Sequence, residues 1–365
     1  MNHLHRRSFL TGTGGALGGL MFCGCALLQN RAQAQPAPAA PSPRRRARVK
    51  TIDVHAHCFF QEALDVAKLQ VKDVLSPVKG GPEHFIVLDE RLKSMDDMGI
   101  DMQVLGINPF WYKQDVDLAR QVCRVQNEKL AELCARKPDR FAAFASLPLQ
   151  NPQVAVQLLE EAVRKFGLKG AAIGGSVNGE DFSDPKFHPV WAKAEELGAV
   201  LFIHPQSTPE LNRRFRGNGW LSNVIGNPLD TTIALQHLIM EGTLDKFPGL
   251  KVLAAHGGGF LPSPPRSDHS CFVSPVNCNP EIKLKKQPSE YARQLYFDSL
   301  VFTPEALRHL VAEVGASQVM IGTDQPIPWE LHPVEHVLGT PGLSPEQQDA
   351  ILGLNAARLL GIKFQ

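Results

Sequence analysis

His55-Ala56-His57 closes the apolar run Thr51-Ile52-Asp53-Val54 and is the first place where this sequence offers chemistry. Side chains on a strand alternate faces, so residues two apart point the same way. Two imidazoles converging from a rigid strand suit a divalent transition metal. A His-x-His pair alone is weak, because most such pairs are surface or packing residues. Three further groups repeat its placement. Ile203-His204-Pro205, Ala255-His256-Gly257 and Thr323-Asp324-Gln325 each end an apolar, strand-like run. Singly, His256 and Asp324 read more readily as polar groups that cap loops. Their recurrence at strand ends turns the set into a candidate metal site.

The elements that must carry these groups are short and regularly spaced. Apolar runs fall at Thr51–His57, Gln103–Ile107, Phe141–Pro148, Gly170–Gly174, Leu201–Pro205, Val252–His256, Leu295–Ser299 and Val319–Asp324. Amphipathic helices fill most intervals. The clearest sets Ala155, Leu158, Leu159, Ala162, Val163 and Phe166 on one stripe, opening at Asn151-Pro152 and stopping at Gly167. The last helix opens on the capping box Ser344-Pro345-Glu346-Gln347 and ends near Gly361. Eight strands alternating with helices predict an α/β fold, a (β/α)8 TIM barrel, with its site at the C-terminal strand ends. A doubly wound sheet would also alternate, but it would normally show a Gly-rich phosphate turn after an early strand. Here Cys58-Phe59-Phe60 follows instead. The ligands then lie on strands one, five and eight, with His256 on strand six as the acid/base beside them.

Before the barrel comes a segment of different character. Residues 1–34 combine Arg6-Arg7-Ser8-Phe9-Leu10, a soft Gly-rich stretch and Ala32-Gln33-Ala34, and read as a twin-arginine signal peptide directing export to the periplasm. The stretch is short and glycine-rich for a span, which needs about 20 strongly apolar residues. Lipoprotein anchoring through Cys25 is the lesser alternative, since Phe22-Cys23 makes a poor lipobox. Residues 35–50, rich in Pro, Ala and Arg, read as a disordered tether, and residues 51–365 as one barrel domain.

Lys plus Arg and Asp plus Glu nearly cancel, at 38 and 37, and no basic stripe with interleaved aromatics occurs, so nucleic acid is not an expected partner. Of seven cysteines, Cys23 and Cys25 fall in the signal. Cys123 and Cys134 share one helix about 16 Å apart and cannot pair there. Cys271 and Cys278 share a loop and can pair in an oxidising compartment. No CxxC supports a zinc-thiolate site. Cys58 reads as a packing residue. His84, His188, His237, His269, His309, His332 and His336 carry no second feature that points to catalysis.

From Thr51 onward the chain resembles the amidohydrolase superfamily (amidohydrolase-related, family 2), and within it the aminocarboxymuconate-semialdehyde decarboxylase-like branch. The residues that carry the resemblance are Ile52-Asp53-Val54-His55-Ala56-His57, the stretch from Arg91 through Met95-Asp96-Asp97-Met98-Gly99-Ile100, and Phe202-Ile203-His204-Pro205. Lys246-Phe247-Pro248 leading to His256-Gly257-Gly258-Gly259, and Gly322-Thr323-Asp324-Gln325-Pro326, complete it. The resemblance implies a TIM barrel of the metal-dependent hydrolase type, in which His55, His57, His204 and Asp324 hold one divalent ion, zinc first and manganese second. It implies that His256 activates water or protonates substrate, with Asp324 beside it in catalysis. It also implies that Arg91 meets a substrate carboxylate, and that an arginine after the His-Gly-Gly-Gly segment does so, often in a neighbouring subunit's site. Arg266 is the nearest match, one residue short, and a homodimer is the expected assembly. Many related barrels bridge two metals with a carboxylated lysine at the end of strand four. Ile173-Gly174-Gly175 stands there instead, which argues for one metal.

The pocket wall departs from the best-known members. Gln206 stands where they carry a tryptophan after the strand-five His-Pro, Asn223 where they carry another, and Gln325 follows the strand-eight Asp. Three functions are therefore in play. The leading one is nonoxidative decarboxylation of an aromatic or unsaturated carboxylic acid, a small-molecule carboxylate. The second is metal-dependent hydrolysis of a lactone, ester or amide. The third is an idle periplasmic binding protein, against which the retained His256 argues.

Overall fold

The computed structural model describes residues 49–74, 88–262, 266–277 and 281–363. The expected signal peptide (1–34), most of the tether, Cys25, His84 and the pairing of Cys271 with Cys278 lie outside the described residues. By contact the chain divides into Met1–Ala47 and Arg48–Gln365, and every described residue belongs to the second unit.

All strands run parallel. One sheet orders β1 (Ile52–His57), β2 (Met102–Gly106) and β3 (Phe141–Ala143). The other orders β4 (Ala145–Ser146), β5 (Gly170–Ile173), β6 (Val200–Ile203), β7 (Lys251–Ala254), β8 (Tyr296–Asp298) and β9 (Val319–Met320). β3 and β4 are two halves of one run, separated at Phe144, whose N–H still donates to Leu105 O on β2. Counted so, the strands number eight, as the apolar runs predict. The ring closes between its first and last members. Val54 N donates to Ile321 O at 3.0 Å, Asp324 N to His55 O at 2.8 Å, and Ala56 bridges Gln325 in parallel. The (β/α)8 barrel follows.

A buried cluster inside the ring gathers Val104, Phe144, Phe202, Leu253 and Met320. Phe144 and Phe202 stack at 5.5 Å across the interior, and Phe202 also meets the His55 ring edge-on at 5.2 Å. The aromatic floor thus carries the polar site directly above it. Truncating such a buried Phe costs about 3–5 kcal/mol. The helices cover the outside through the expected stripes. Helix Pro152–Arg164 buries Ala155, Leu158, Leu159 and Ala162, and the Asn151 side chain caps it by accepting from Val154 N at 3.2 Å. The Ser344–Gln347 capping box is present, and Gly361 stops the last helix in the left-handed region.

Candidate active site

The strand ends bring five groups together. His55 and His57 come from the end of β1, His204 follows β6, His256 follows β7, and Asp324 lies beyond β9. His57 Nε2 stands 2.8 Å and His55 Nε2 3.2 Å from Asp324 Oδ1, and the two imidazole nitrogens are 3.2 Å apart. His204 Nε2 approaches the same oxygen at 3.8 Å, while His256 Nε2 faces Asp324 Oδ2 at 3.5 Å. Ligand atoms of His55, His204, His256 and Asp324 all lie within 4.8 Å of one another. This group includes His256 where the sequence argument places His57, and His57 Nε2 itself stands 2.8 Å from Asp324, so five donors, rather than four, surround the position.

Two of the five sit on backbone that side-chain-bearing residues seldom adopt. His256 has φ 54° and Asp324 φ 61°. Left-handed non-glycine residues cluster at functional sites, where surrounding contacts hold them. After His256 the chain turns sharply through Gly257 at φ 61°, where a Cβ would meet Val301 Cγ1 at 2.5 Å, so only glycine fits.

The electrostatics fit a bound cation. His204 Nδ1 and Nε2, His57 Nδ1 and His256 Nδ1 are buried without a hydrogen-bond partner among the described residues. Burial, joined by the charges of His57 and His55, holds His204 well below the ordinary imidazole pKa, which keeps one ring nitrogen unprotonated with its lone pair available. Burial likewise lowers His57, outweighing the pull of Asp324. His55 goes the other way. Burial opposes its charge, but Asp324 and Asp298 overcome this and raise it to about 10. For Asp324, burial is outweighed by His55 and His256, and its carboxyl stays well below the usual range. The site thus draws a positive charge to the point where His55 Nε2, His57 Nε2 and Asp324 Oδ1 meet. Clustered imidazoles around an ionised carboxylate, with His57 and His204 biased by burial toward the neutral form, are the donor set of a transition-metal centre.

Asp298, at the end of β8, was not singled out from the sequence. It is fully buried, and its Oδ2 accepts from His55 Nδ1 at 2.6 Å and from His256 N at 2.9 Å. Its Oδ1 accepts from Gly257 N at 2.9 Å and Leu300 N at 3.0 Å. Burial opposes its charge, yet the His55 hydrogen bond prevails and keeps its pKa below the usual value. An acceptor-only carboxylate fixes the proton on His55 Nδ1 and turns the Nε2 lone pair toward the site. Asp298 ends the predicted strand Leu295–Ser299, so the logic that selected Asp324 was available for it too.

Beside the cluster opens a cavity of about 330 Å³. His57, His204 and Asp324 reach it from the floor. Asn108, Gln206 and Asn223 line its polar side, and Trp220 and Trp329, stacked at 5.7 Å, line its mouth. Arg91 is not on this wall. It is buried in helix Leu88–Asp97 with its guanidinium on His57 O and, at 2.8 Å, on Gln103 Oε1. Arg266 opens helix Arg266–Val273, and its side chain lies outside the described residues.

Comparison with known proteins agrees with this geometry. The amidohydrolase family matches residues 52–362, nearly the whole described chain. The chain belongs to that family. Among similar amidohydrolases is 2-amino-3-carboxymuconate-6-semialdehyde decarboxylase of Dictyostelium discoideum, 34% identical over 282 residues, which are 75% of this chain and 76% of that protein. The crystal structure of 5-carboxyvanillate decarboxylase from Sphingomonas paucimobilis superposes with TM-score 0.78 at 26% identity, covering 87% of this chain and 100% of the other. Dihydroxybenzoic acid decarboxylase from Polaromonas, solved with manganese and the inhibitor 2-nitroresorcinol, gives TM-score 0.74 at 25% identity over 87% of this amidohydrolase and 98% of that chain. No described helix is long and apolar enough to cross a membrane.

Proposed function

We propose that this amidohydrolase is a metal-dependent nonoxidative decarboxylase of an aromatic or unsaturated carboxylic acid. The observation that carries the reading is the cluster of four imidazoles around Asp324, with both ring nitrogens of His204 buried and without a hydrogen-bond partner among the described residues, in a chain whose similar relatives are decarboxylases. His55, His57, His204 and Asp324 would hold the ion, with zinc the first expectation from the imidazole-rich donors and manganese the alternative. When bound, the ion supplies Lewis acidity and a template for a carboxylate with its neighbouring oxygen.

The residues of the chain divide the remaining work. Asp298 keeps the proton on His55 Nδ1. His256 carries the exchangeable proton at Nε2 and gives it to the ring or alkene carbon that bears the carboxyl group. The bond from that carbon to the carboxyl carbon then breaks, its electron pair restoring the unsaturated system as CO2 leaves. Phe59, Phe110 and Ile327 on the cavity wall exclude water from the carbon being protonated. Asn108, Gln206 and Asn223 present amides to ring substituents, which favours substrates carrying hydroxyl, methoxy or amino groups.

Arg266 of a neighbouring subunit would meet a substrate carboxylate in a homodimer. The exposed apolar side chains Phe272, Val273 and Val276 on and after its helix support such an association. The twin-arginine motif and Ala32-Gln33-Ala34 support export to the periplasm. The test is product analysis. Metal-loaded enzyme incubated with hydroxylated benzoates and with lactones should release CO2 from the former. Ring opening of lactones without CO2 release from any carboxylate would sink the decarboxylase reading and leave a hydrolase.

A further inference from the structure

Arg91 presents a puzzle of burial. A guanidinium removed from water is costly, and an apolar side chain would fill the same space at lower cost unless the fork itself is needed. Its two named acceptors lie on different strands. One is the backbone carbonyl of His57 on β1, and the other is Gln103 Oε1 on β2. Gln103 passes the contact on, because its Nε2 donates to Asp53 Oδ2 at 3.0 Å and to Gln325 Oε1. Asp53 Oδ1 in turn accepts from His55 N at 3.0 Å and Thr323 N at 3.1 Å, and its Oδ2 accepts from Thr323 Oγ1 at 2.7 Å. His57 N donates to Gln325 O at 2.6 Å. Every link is buried, and together they tie the backbone of His55 and His57 to the residues flanking Asp324. These three donors approach one another within 3.2 Å.

We infer that Arg91 is a positioning residue for the metal site, the cationic end of a buried lattice running Arg91–Gln103–Asp53–Thr323 that sets the spacing of the His55–His57 pair against Asp324. A lysine cannot reproduce the lattice, since reaching two acceptors in fixed directions is what the planar fork does and a single ammonium does not. The inference rests on the metal-site reading, and it removes Arg91 from the residues that touch substrate.

The test compares metal retention with ligand binding. Full-length protein loaded with zinc or manganese is titrated with a chelator, well below its melting temperature, as wild type, Arg91→Met, Arg91→Lys and Gln103→Leu. Arg91→Met and Gln103→Leu should each hold metal about 10–100-fold more weakly, the range seen when groups that orient metal ligands are removed. Arg91→Lys should recover part of the loss. With metal saturating, binding of 2,6-dihydroxybenzoate should stay within about twofold of wild type in all variants. If Arg91→Met fails to fold, Gln103→Leu and Arg91→Lys still report on the lattice. Metal retention equal to wild type, with 2,6-dihydroxybenzoate bound more than tenfold more weakly, would overturn the inference and return Arg91 to the substrate. A lowered melting temperature with unchanged metal retention would overturn it too, leaving Arg91 a purely structural residue. A wild-type protein that takes up no metal would overturn both this inference and the reading beneath it.

Discussion

Replacing Asp298 by asparagine alters one atom of the site's support, and the consequence can be worked through. Asp298 Oδ1 accepts from two backbone amides, Gly257 N and Leu300 N, so the remaining amide oxygen must stay there. The new NH2 then takes the place of Oδ2, opposite His55 Nδ1 and His256 N. His55 can satisfy an NH2 only by accepting at Nδ1, which moves its proton to Nε2, the atom 3.2 Å from Asp324 Oδ1. The lone pair meant for the metal is thereby protonated. The expected loss in metal affinity is about 10–100-fold, or roughly 1.4–2.7 kcal/mol. The His256 amide, now facing another donor, costs a further 1–3 kcal/mol or so of stability, about 3 °C in melting temperature for a domain of this size. Chelator competition reads the first quantity, calorimetry of the metal-free protein the second, and nitrogen-15 NMR of the imidazoles the tautomer. A variant with wild-type metal affinity and His55 still protonated at Nδ1 would refute the reasoning.

Three other perturbations separate the roles within the site. His57→Ala should strip most of the metal and abolish turnover, measured by elemental analysis beside an activity assay; stoichiometric metal with normal turnover would remove His57 from the ligand set. His256→Asn should retain metal while losing roughly 10²–10⁴-fold in rate. Because the ligand atoms of His256 also lie within 4.8 Å of those of His55, His204 and Asp324, loss of metal would mark it a ligand instead. Asp230, which accepts from Gln206 N at 2.9 Å, is raised to about 6 by burial, against an ordinary 3.8. The native state therefore binds its proton more tightly than the unfolded chain, and stability falls as pH rises from about 4 to 6. Asp230→Asn should be more stable than wild type at pH 7.5 by up to about 3 kcal/mol, with the advantage gone at pH 4. Denaturant melts at the two pH values decide it, and an advantage independent of pH would show that folding does not shift the Asp230 pKa.

The fold was legible because barrel strands are short apolar runs and their order is their spatial order. Only the break at Phe144, which divides one run into β3 and β4, had no signal in the pattern. The five chemical groups were legible for the same reason, since each sits where a strand ends. Asp298 also ends a strand, but a lone aspartate beside aromatic neighbours carries no motif that would single it out. Asp53 and Gln103 were hidden differently. They are polar residues inside strands, and nothing in a strand's alternation says that these two will meet each other and Thr323, in the chain after β9. Arg91 was placed on the substrate by family resemblance. Its burial and its acceptors are tertiary facts that no single stretch of sequence contains.

These two layers also explain why the reaction is easier to assign than the substrate. Beneath the cavity lie the strand-end donors, the Asp298 carboxylate and the Arg91–Gln103–Asp53–Thr323 lattice, joined by buried side-chain hydrogen bonds within the barrel. A change there disturbs several partners at once, so the chemistry it supports resists drift. The wall is different. Asn108, Gln206, Trp220 and Trp329 stand on loops beyond the strands, and Asn223 on the short helix Ser222–Gly226, where one residue can be exchanged without touching the proposed metal donors. Gln206 takes its position from Pro109 O and Asp230, and neither of these contacts reaches the histidine cluster. Likeness to other decarboxylases therefore bears on the floor, whereas the proposed choice of ring substituents falls to the amide-lined wall.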